Sequence, residues 1–298
     1  MITYSVVIST YNRANLLRQC LDALSNQSVP VSAYEIIVIN DGSADNTAEI
    51  VRDCQTHHPD LNIVYKKQTN GGPSKGRNAG IALAKGDIIF FTDDDCIVPK
   101  RWIETLAEGY KKHPEVAGAG GWSDNDEETM AKSWYTQYMA YMFNVMFHQI
   151  NIENEEIINN IFSRNPAGNT SNMSYRKTVL QKTGGFDEKV TFVGLIDMEL
   201  KKRVMDLGFP LLYIPYNVLH LKPLGAKEII RKYFNRGRGF CHLWKKNPEL
   251  VYYYKTYSER YPIKKNDSVR KSFSFRFIAF TELFFYRLGW YYQMIQEK

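Results

Sequence analysis

The feature that most constrains this chain is an alternation that fills its first 92 residues. Short β-rich apolar runs, "YSVVIST" (Tyr4–Thr10), "EIIVIND" (Glu35–Asp41), "NIVYK" (Asn62–Lys66) and "DIIFFT" (Asp87–Thr92), are separated by segments of helical period. The first of these segments places Leu17, Leu21 and Leu24 on one helical stripe. Strand and helix exchanging places every ~25 residues predict an α/β fold, a mostly parallel sheet with helices on both faces. With 298 residues, 44% of them hydrophobic, the chain can bury a large core, which excludes a disordered class.

In such a sheet, ligands bind beyond the carboxyl ends of the strands. Polar residues fall at those ends: Thr10, Tyr11 and Arg13 after the first strand, Asp41, Gly42 and Ser43 after the second, and Asp93, Asp94 and Asp95 after the fourth. Three adjacent carboxylates repel one another unless a cation or a positive side chain holds them. Mg²⁺ or Mn²⁺, which favour oxygen ligands and bridge to phosphate, are the expected partners. A solvated acidic turn is the alternative for the same three residues, and Asp41-Gly42-Ser43 is also a good turn former in its own right.

Taken in order, "SVVISTYNR", "VINDGSADNT", "NGGPSKGRNAG", "FFTDDDC", "GNTSNMSYRKTVLQKTGGFDE" and "GLIDMELKKRVMDLG" resemble the motif series of family 2 glycosyltransferases with the GT-A fold, over about residues 3–221. The resemblance implies transfer of a sugar from a nucleotide-diphosphate donor, with UDP the commonest nucleotide, to an acceptor hydroxyl with inversion at the anomeric carbon. It further implies that Thr10, Tyr11 and Arg13 border the base pocket, that Asp41 accepts a hydrogen bond from the base, and that Arg77 presents a donor fork to base or phosphate. Gly42, Ser43, Gly71, Gly72 and Ser74 complete the expected nucleotide cradle, where glycine permits close backbone approach.

On the same resemblance, Asp93 lies near the ribose and Asp95 ligates the metal, with Asp94 able to contribute because a run of three leaves the register open. Asp197, in "IDMELKKR", matches the general base, and Ile196 stands where the family usually has Glu. His220 is a candidate metal or diphosphate contact. Trp122, Asn172, Met173 and Ile196 are expected on the acceptor side, with a core tryptophan as the alternative for Trp122. Two rivals share these features: a catalytically silent scaffold with the same fold, and a sugar nucleotidyltransferase. The second would carry a Gly-rich loop with Arg near its start, unlike "STYNRANLL".

A boundary is expected near residue 225, with a glycosyltransferase domain over 1–225 and a helical extension over 226–298. The extension holds 16 Lys or Arg against 6 Asp or Glu, whereas the remainder holds 22 against 26. A basic end rich in aromatics suits an anionic membrane surface, a packed helical pair or a dimer contact. No nucleic-acid motif accompanies it, and nucleic acid is not an expected partner. The expected partners are a nucleotide-sugar donor and a glycan or lipid-linked acceptor. Four scattered cysteines and no secretory-type leader point to the cytoplasm, with a peripheral position on the cytoplasmic face of a membrane. Between Lys132 and Ile150, Tyr135, Met139, Met142 and Met146 form a helical stripe expected to border the acceptor cleft, with a core-facing helix as the alternative, and "IENEEIINN" reads as a surface loop or short helix.

Overall fold

The computed structural model describes residues 2–125, 153–161, 167–190, 196–221, 226–249 and 273–296. The Met-rich stripe expected between Lys132 and Ile150 lies outside them. The chain divides into two compact units, one drawn from Met1–Asp126, Ile152–Glu188 and Asp197–Leu221, the other taking in Lys222–Lys298.

The first unit is built on the alternating segments. Strands β1 (Tyr4–Thr10), β2 (Tyr34–Asn40), β3 (Asn62–Lys67) and β4 (Ile88–Phe91) are separated by helices α1 (Ala14–Leu24), α2 (Thr47–His57) and α3 (Pro73–Leu83). β1 pairs in parallel with both β2 and β4, and β2 with β3. The register sets Thr10 opposite Asn40, which brings the carboxyl ends of β1 and β2 to one edge. β2 is buried along its whole length, as a central parallel strand covered on both faces must be. α1 inserts Leu17, Leu21 and Leu24 into the core with no exposed surface, each side chain contributing about 1.5–3 kcal/mol on burial.

Beyond β4 the sheet changes character. α4 (Trp102–Lys112) follows the short β5 (Cys96–Ile97), and then come β6 (Gly118–Gly120), β7 (Ser123–Asn125), β8 (Glu156–Ile158), β9 (Met173–Arg176), α5 (Lys177–Thr183), α6 (Ile196–Asp206), β10 (Leu211–Tyr213) and β11 (Val218–His220). The large sheet runs β3-β2-β1-β4-β9-β6-β10-β8, and a small one runs β5-β11-β7. β9 is antiparallel to both β4 and β6, and β8 is antiparallel to β10. The segment read as a surface loop or short helix therefore supplies an edge strand. Its Ile157 and Ile158 are β-branched residues opposite Leu212 and Leu211, and Ile158 is buried.

In the second unit, α7 (Ala226–Lys246) and α8 (Phe273–Gln296) cross where both helices carry glycine. A Cβ on Gly237 would run into the Tyr286 carbonyl, and one on Gly289 into the Phe234 carbonyl. Around the crossing, Phe240 meets Tyr286 edge-on at 5.5 Å and Phe234 meets Tyr292 at 5.6 Å. Arg238 Nε donates to Gln293 at 2.9 Å. Among the described residues, no helix is long and apolar enough to cross a membrane.

Candidate functional site

The three aspartates that follow β4 meet two arginines. Asp94 is buried, its Oδ2 accepting from Thr10 Oγ1 at 2.7 Å and its Oδ1 from Arg13 Nη1 at 2.8 Å. The same Nη1 lies 2.9 Å from Asp95 Oδ2. Asp93 is the most open of the three, at 27% exposure, and takes Arg77 Nη2 at 2.7 Å. Burial, and then the neighbouring Asp95, push the Asp94 carboxyl up to about 6 against the opposing pull of Arg13. Burial works against the charge of Arg13, yet Asp94 and Asp95 outweigh it and hold the guanidinium above its ordinary range. Two arginines thus neutralise part, but not all, of a triple carboxylate.

Asp95 is the carboxylate left short of donors. Its side chain is 3% exposed, and its Oδ1 is buried with no hydrogen-bond partner. His220 Nε2 lies 3.4 Å from this oxygen. Strand pairing explains the meeting: β5 and β11 run antiparallel with His220 opposite Cys96, and Leu221 N donates to the Asp95 carbonyl at 2.8 Å. One ligand atom each from Asp95, Cys96 and His220 lie within 4.8 Å of one another. An orphaned carboxylate oxygen beside an imidazole nitrogen is a donor set that fits Mn²⁺ or a similar divalent ion.

The expected nucleotide cradle converges on Asp41. Its carboxylate accepts from Gln68 Nε2 at 2.8 Å, Gly71 N at 3.0 Å and Gly72 N at 2.8 Å. Its side chain therefore fixes the turn that starts α3, where Gly72 has φ +87° and Pro73 occupies the first turn. Gly42, at φ +89°, leaves its absent Cβ facing Asn70 N at 3.1 Å. Ser43 is buried, accepts from Asn12 N at 2.9 Å and donates its own N–H to Asn40 Oδ1 at 2.7 Å. Ser74 is buried in the first turn of α3, and Tyr11, just past β1, is 47% exposed.

Asn172, just before β9 and level with the carboxyl end of β4, is fully buried and joins three segments. Its Oδ1 accepts from Trp102 Nε1 at 2.8 Å, and its Nδ2 donates to the carbonyls of Trp122 and Tyr216, both at 2.7 Å. Met173 is buried in β9 opposite Phe91 and Gly120. The Trp122 carbonyl also receives Val218 N at 3.0 Å, so its backbone ties β11 to the segment before β7.

Asp197 lies in the first turn of α6, which Ile196 opens. Lys201, one turn along, is fully buried, donates to the Gly168 carbonyl and lies 3.9 Å from Asp197 Oδ2. Burial lowers the Lys201 pKa, an effect that Asp197 partly offsets. Glu199 is buried in a two-pronged ion pair with Arg203, whose Nη1 donates to the Thr183 carbonyl at 2.5 Å.

Several contributors lie inside the quoted motifs, but their partners are not readable from the motifs. Asn12 sits at φ +53° and its Oδ1 accepts from Ala44 N at 2.8 Å. Asp45 accepts from Ala14 N at 2.9 Å, satisfying a donor at the start of α1. Asn78 pins Phe186 through both backbone atoms, at 2.8 and 2.9 Å. That places the Phe186 ring 5.7 Å from the Arg77 guanidinium and edge-on to Phe91 at 5.2 Å. The "GGFDE" stretch is visible in the sequence, but its pairing with Asn78 spans 108 residues.

The fold is shared with solved glycosyltransferase structures. A mannosyltransferase of Pyrobaculum calidifontis, in complex with GDP-Man and Mn²⁺, superposes with a TM-score of 0.68 at 15% identity, over 99% of this chain and 88% of that one. Residues 1–349 of Staphylococcus aureus TarS with UDP-GlcNAc give 0.62 at 16% identity, over 97% and 81%. In sequence, the chain is 29% identical to glycosyltransferase AglE of Haloferax volcanii over 243 residues, 80% of this chain and 73% of the relative. It is 32% identical to S. aureus TarS, a poly(ribitol-phosphate) beta-N-acetylglucosaminyltransferase, over 38% of this chain but 20% of the relative's length. Residues 5–184 match the model of glycosyl transferase family 2, and the chain belongs to that family and is a glycosyltransferase.

Proposed function

We propose that the chain is an inverting, metal-dependent transferase that moves a sugar from a nucleotide diphosphate, a UDP-sugar above the GDP and dTDP alternatives, to a hydroxyl of a glycan, polysaccharide or lipid-linked acceptor. The observation that carries this reading is Asp95 Oδ1, buried without a hydrogen-bond partner 3.4 Å from His220 Nε2. Asp95 and His220 would hold Mg²⁺ or Mn²⁺, with Asp93 the more exposed carboxylate at its side. When bound, the ion offsets the negative charge that develops on the departing diphosphate.

The remaining roles belong to the chain's own residues. Tyr11 offers a stacking face, and Asp41 shapes the Gly71–Gly72 turn that closes on the nucleotide. Thr10 and Arg13 hold Asp94 and Asp95 in place. Asp197 takes the proton of the acceptor hydroxyl as its oxygen bonds to the anomeric carbon. The bond from that carbon to the diphosphate breaks on the opposite face, and its electron pair leaves with the diphosphate oxygen. Residues 1–225 would perform this chemistry, with 226–298 as an extension. We place the enzyme in the cytoplasm, peripherally on the cytoplasmic face of a membrane.

The GDP-Man and UDP-GlcNAc held by the two solved relatives supply the first probes. Slow hydrolysis of UDP-GlcNAc, UDP-glucose and GDP-mannose, with water as acceptor, is followed by proton NMR. A released sugar of configuration opposite to the donor, absent in Asp197→Asn, is the expected result. Retention of configuration overturns inversion. A second reading, a silent scaffold, draws on Ile196 at the start of α6. It predicts nucleotide binding with no hydrolysis or transfer.

A further inference from the structure

The helical unit carries a surface that the transfer chemistry does not use. One side of α8 is committed to α7 through Gly289 and Tyr286. On the opposite side Phe277, Phe280, Phe284, Leu288, Tyr291 and Ile295 recur at three- and four-residue intervals. Each is between 46% and 70% exposed. A stripe of this period normally faces a core, yet here it faces outward. With rings of roughly 200 Å² about half exposed, the aromatics alone present on the order of 500 Å², at the upper end for the largest apolar patch of a soluble monomer.

Charge decides among possible occupants. Exposed cations flank this unit at Lys227, Arg231, Lys245 and Lys246 on α7, and Arg287 lies beside the stripe on α8. A second copy would bring the same positive charge against it, whereas an acidic lipid surface complements it. The long Arg287 stem can lie along the apolar face while its guanidinium reaches the headgroups. No described helix can span a bilayer, so the mode is one of lying in the interface.

We propose that the outer face of α8 is a docking surface for acidic phospholipid bilayers, the stripe entering the headgroup–acyl boundary and Arg287 meeting the headgroups, while the α7 cations add longer-range attraction to the acidic surface. This rests on the peripheral placement proposed above and names the surface responsible for it. The test is flotation of the full chain with phosphatidylcholine vesicles with and without phosphatidylglycerol, with Mn²⁺–UDP binding measured on the same samples.

Flotation with the acidic vesicles is expected, falling at least about tenfold in Phe280→Ser/Phe284→Ser and declining with salt in the wild type. Lys245→Glu/Lys246→Glu should also float less, with the apolar stripe intact. No flotation with acidic vesicles, or equal flotation of both variants, overturns the proposal. So does a wild-type dimer that the Phe variant splits without changing flotation, because the stripe is then a contact between copies. Nucleotide binding lost with flotation intact would count against the transferase reading instead.

Discussion

Replacing Arg13 by Gln removes the group that holds two buried carboxylates. Asp94 and Asp95 side chains are each 3% exposed, and Arg13 meets them at 2.8 and 2.9 Å while itself 37% exposed. Breaking a fully buried pair costs about 3–5 kcal/mol. The partial exposure of Arg13 lets water screen the interaction, which brings the expected loss to about 2–3 kcal/mol. If Asp95 also holds a divalent ion, that ion neutralises the same charge. An ion at a hundred times its Kd stabilises the native state by about 2.7 kcal/mol, so it can offset most of the defect. Urea unfolding of wild type and Arg13→Gln, each with EDTA and with saturating Mn²⁺, reads both quantities. The variant should be destabilised in EDTA and largely recovered in Mn²⁺. A variant as stable as wild type in EDTA, or one that Mn²⁺ does not help, would mean that Arg13 does not balance this buried charge.

Other perturbations read separate parts of the site. Asp94 is raised from 3.8 to about 6, so between those pH values the unfolded chain gives up this proton before the folded one does. Its contribution, fully present below about pH 4, is lost as pH rises through 6, and amounts to about 2–3 kcal/mol. The stability of metal-free wild type relative to Asp94→Asn should therefore fall by that amount from pH 4 to pH 7 in urea unfolding, and a pH-independent difference contradicts the assignment. Asp197→Asn should keep nucleotide affinity and lose about 10²–10⁴-fold in turnover, and normal turnover would remove Asp197 as the base. Lys201→Met, which deletes the buried ammonium 3.9 Å from Asp197, should lower turnover about tenfold with donor affinity unchanged. A change confined to donor affinity would place Lys201 in the nucleotide site instead.

Local pattern made the first half of the fold legible, because strands buried on both faces must be apolar throughout. Tyr4–Thr10 matches its expected bounds, and β2 begins and ends one residue earlier than the sequence suggests. Short strands were harder to read. Glu156–Ile158 offers three residues in an acidic stretch, and only its partner β10 makes it a strand. Thr10, Arg13 and the aspartates were recognisable as neighbours at one sheet edge, but their division of labour depends on geometry. Arg13 holds both Asp94 and Asp95 and Thr10 holds Asp94, whereas Asp95 keeps one oxygen with no hydrogen bond.

Long-range partners hid the rest. Asn172 is a cross-link whose partners lie 44 to 70 residues away. Lys201 sits in a "KKR" run that resembles a solvated helix face. Its burial depends on the Gly168 carbonyl, 33 residues away.

The proposed transfer depends on Asp95 and His220 binding a divalent ion together with a nucleoside diphosphate. Calorimetric titration of UDP, GDP and dTDP, each with and without Mn²⁺, against wild type and Asp95→Ala tests it most directly. The wild type is expected to bind one of the nucleotides only with Mn²⁺, and Asp95→Ala to lose that binding. Binding of equal strength without Mn²⁺, or binding that survives in Asp95→Ala, would contradict it.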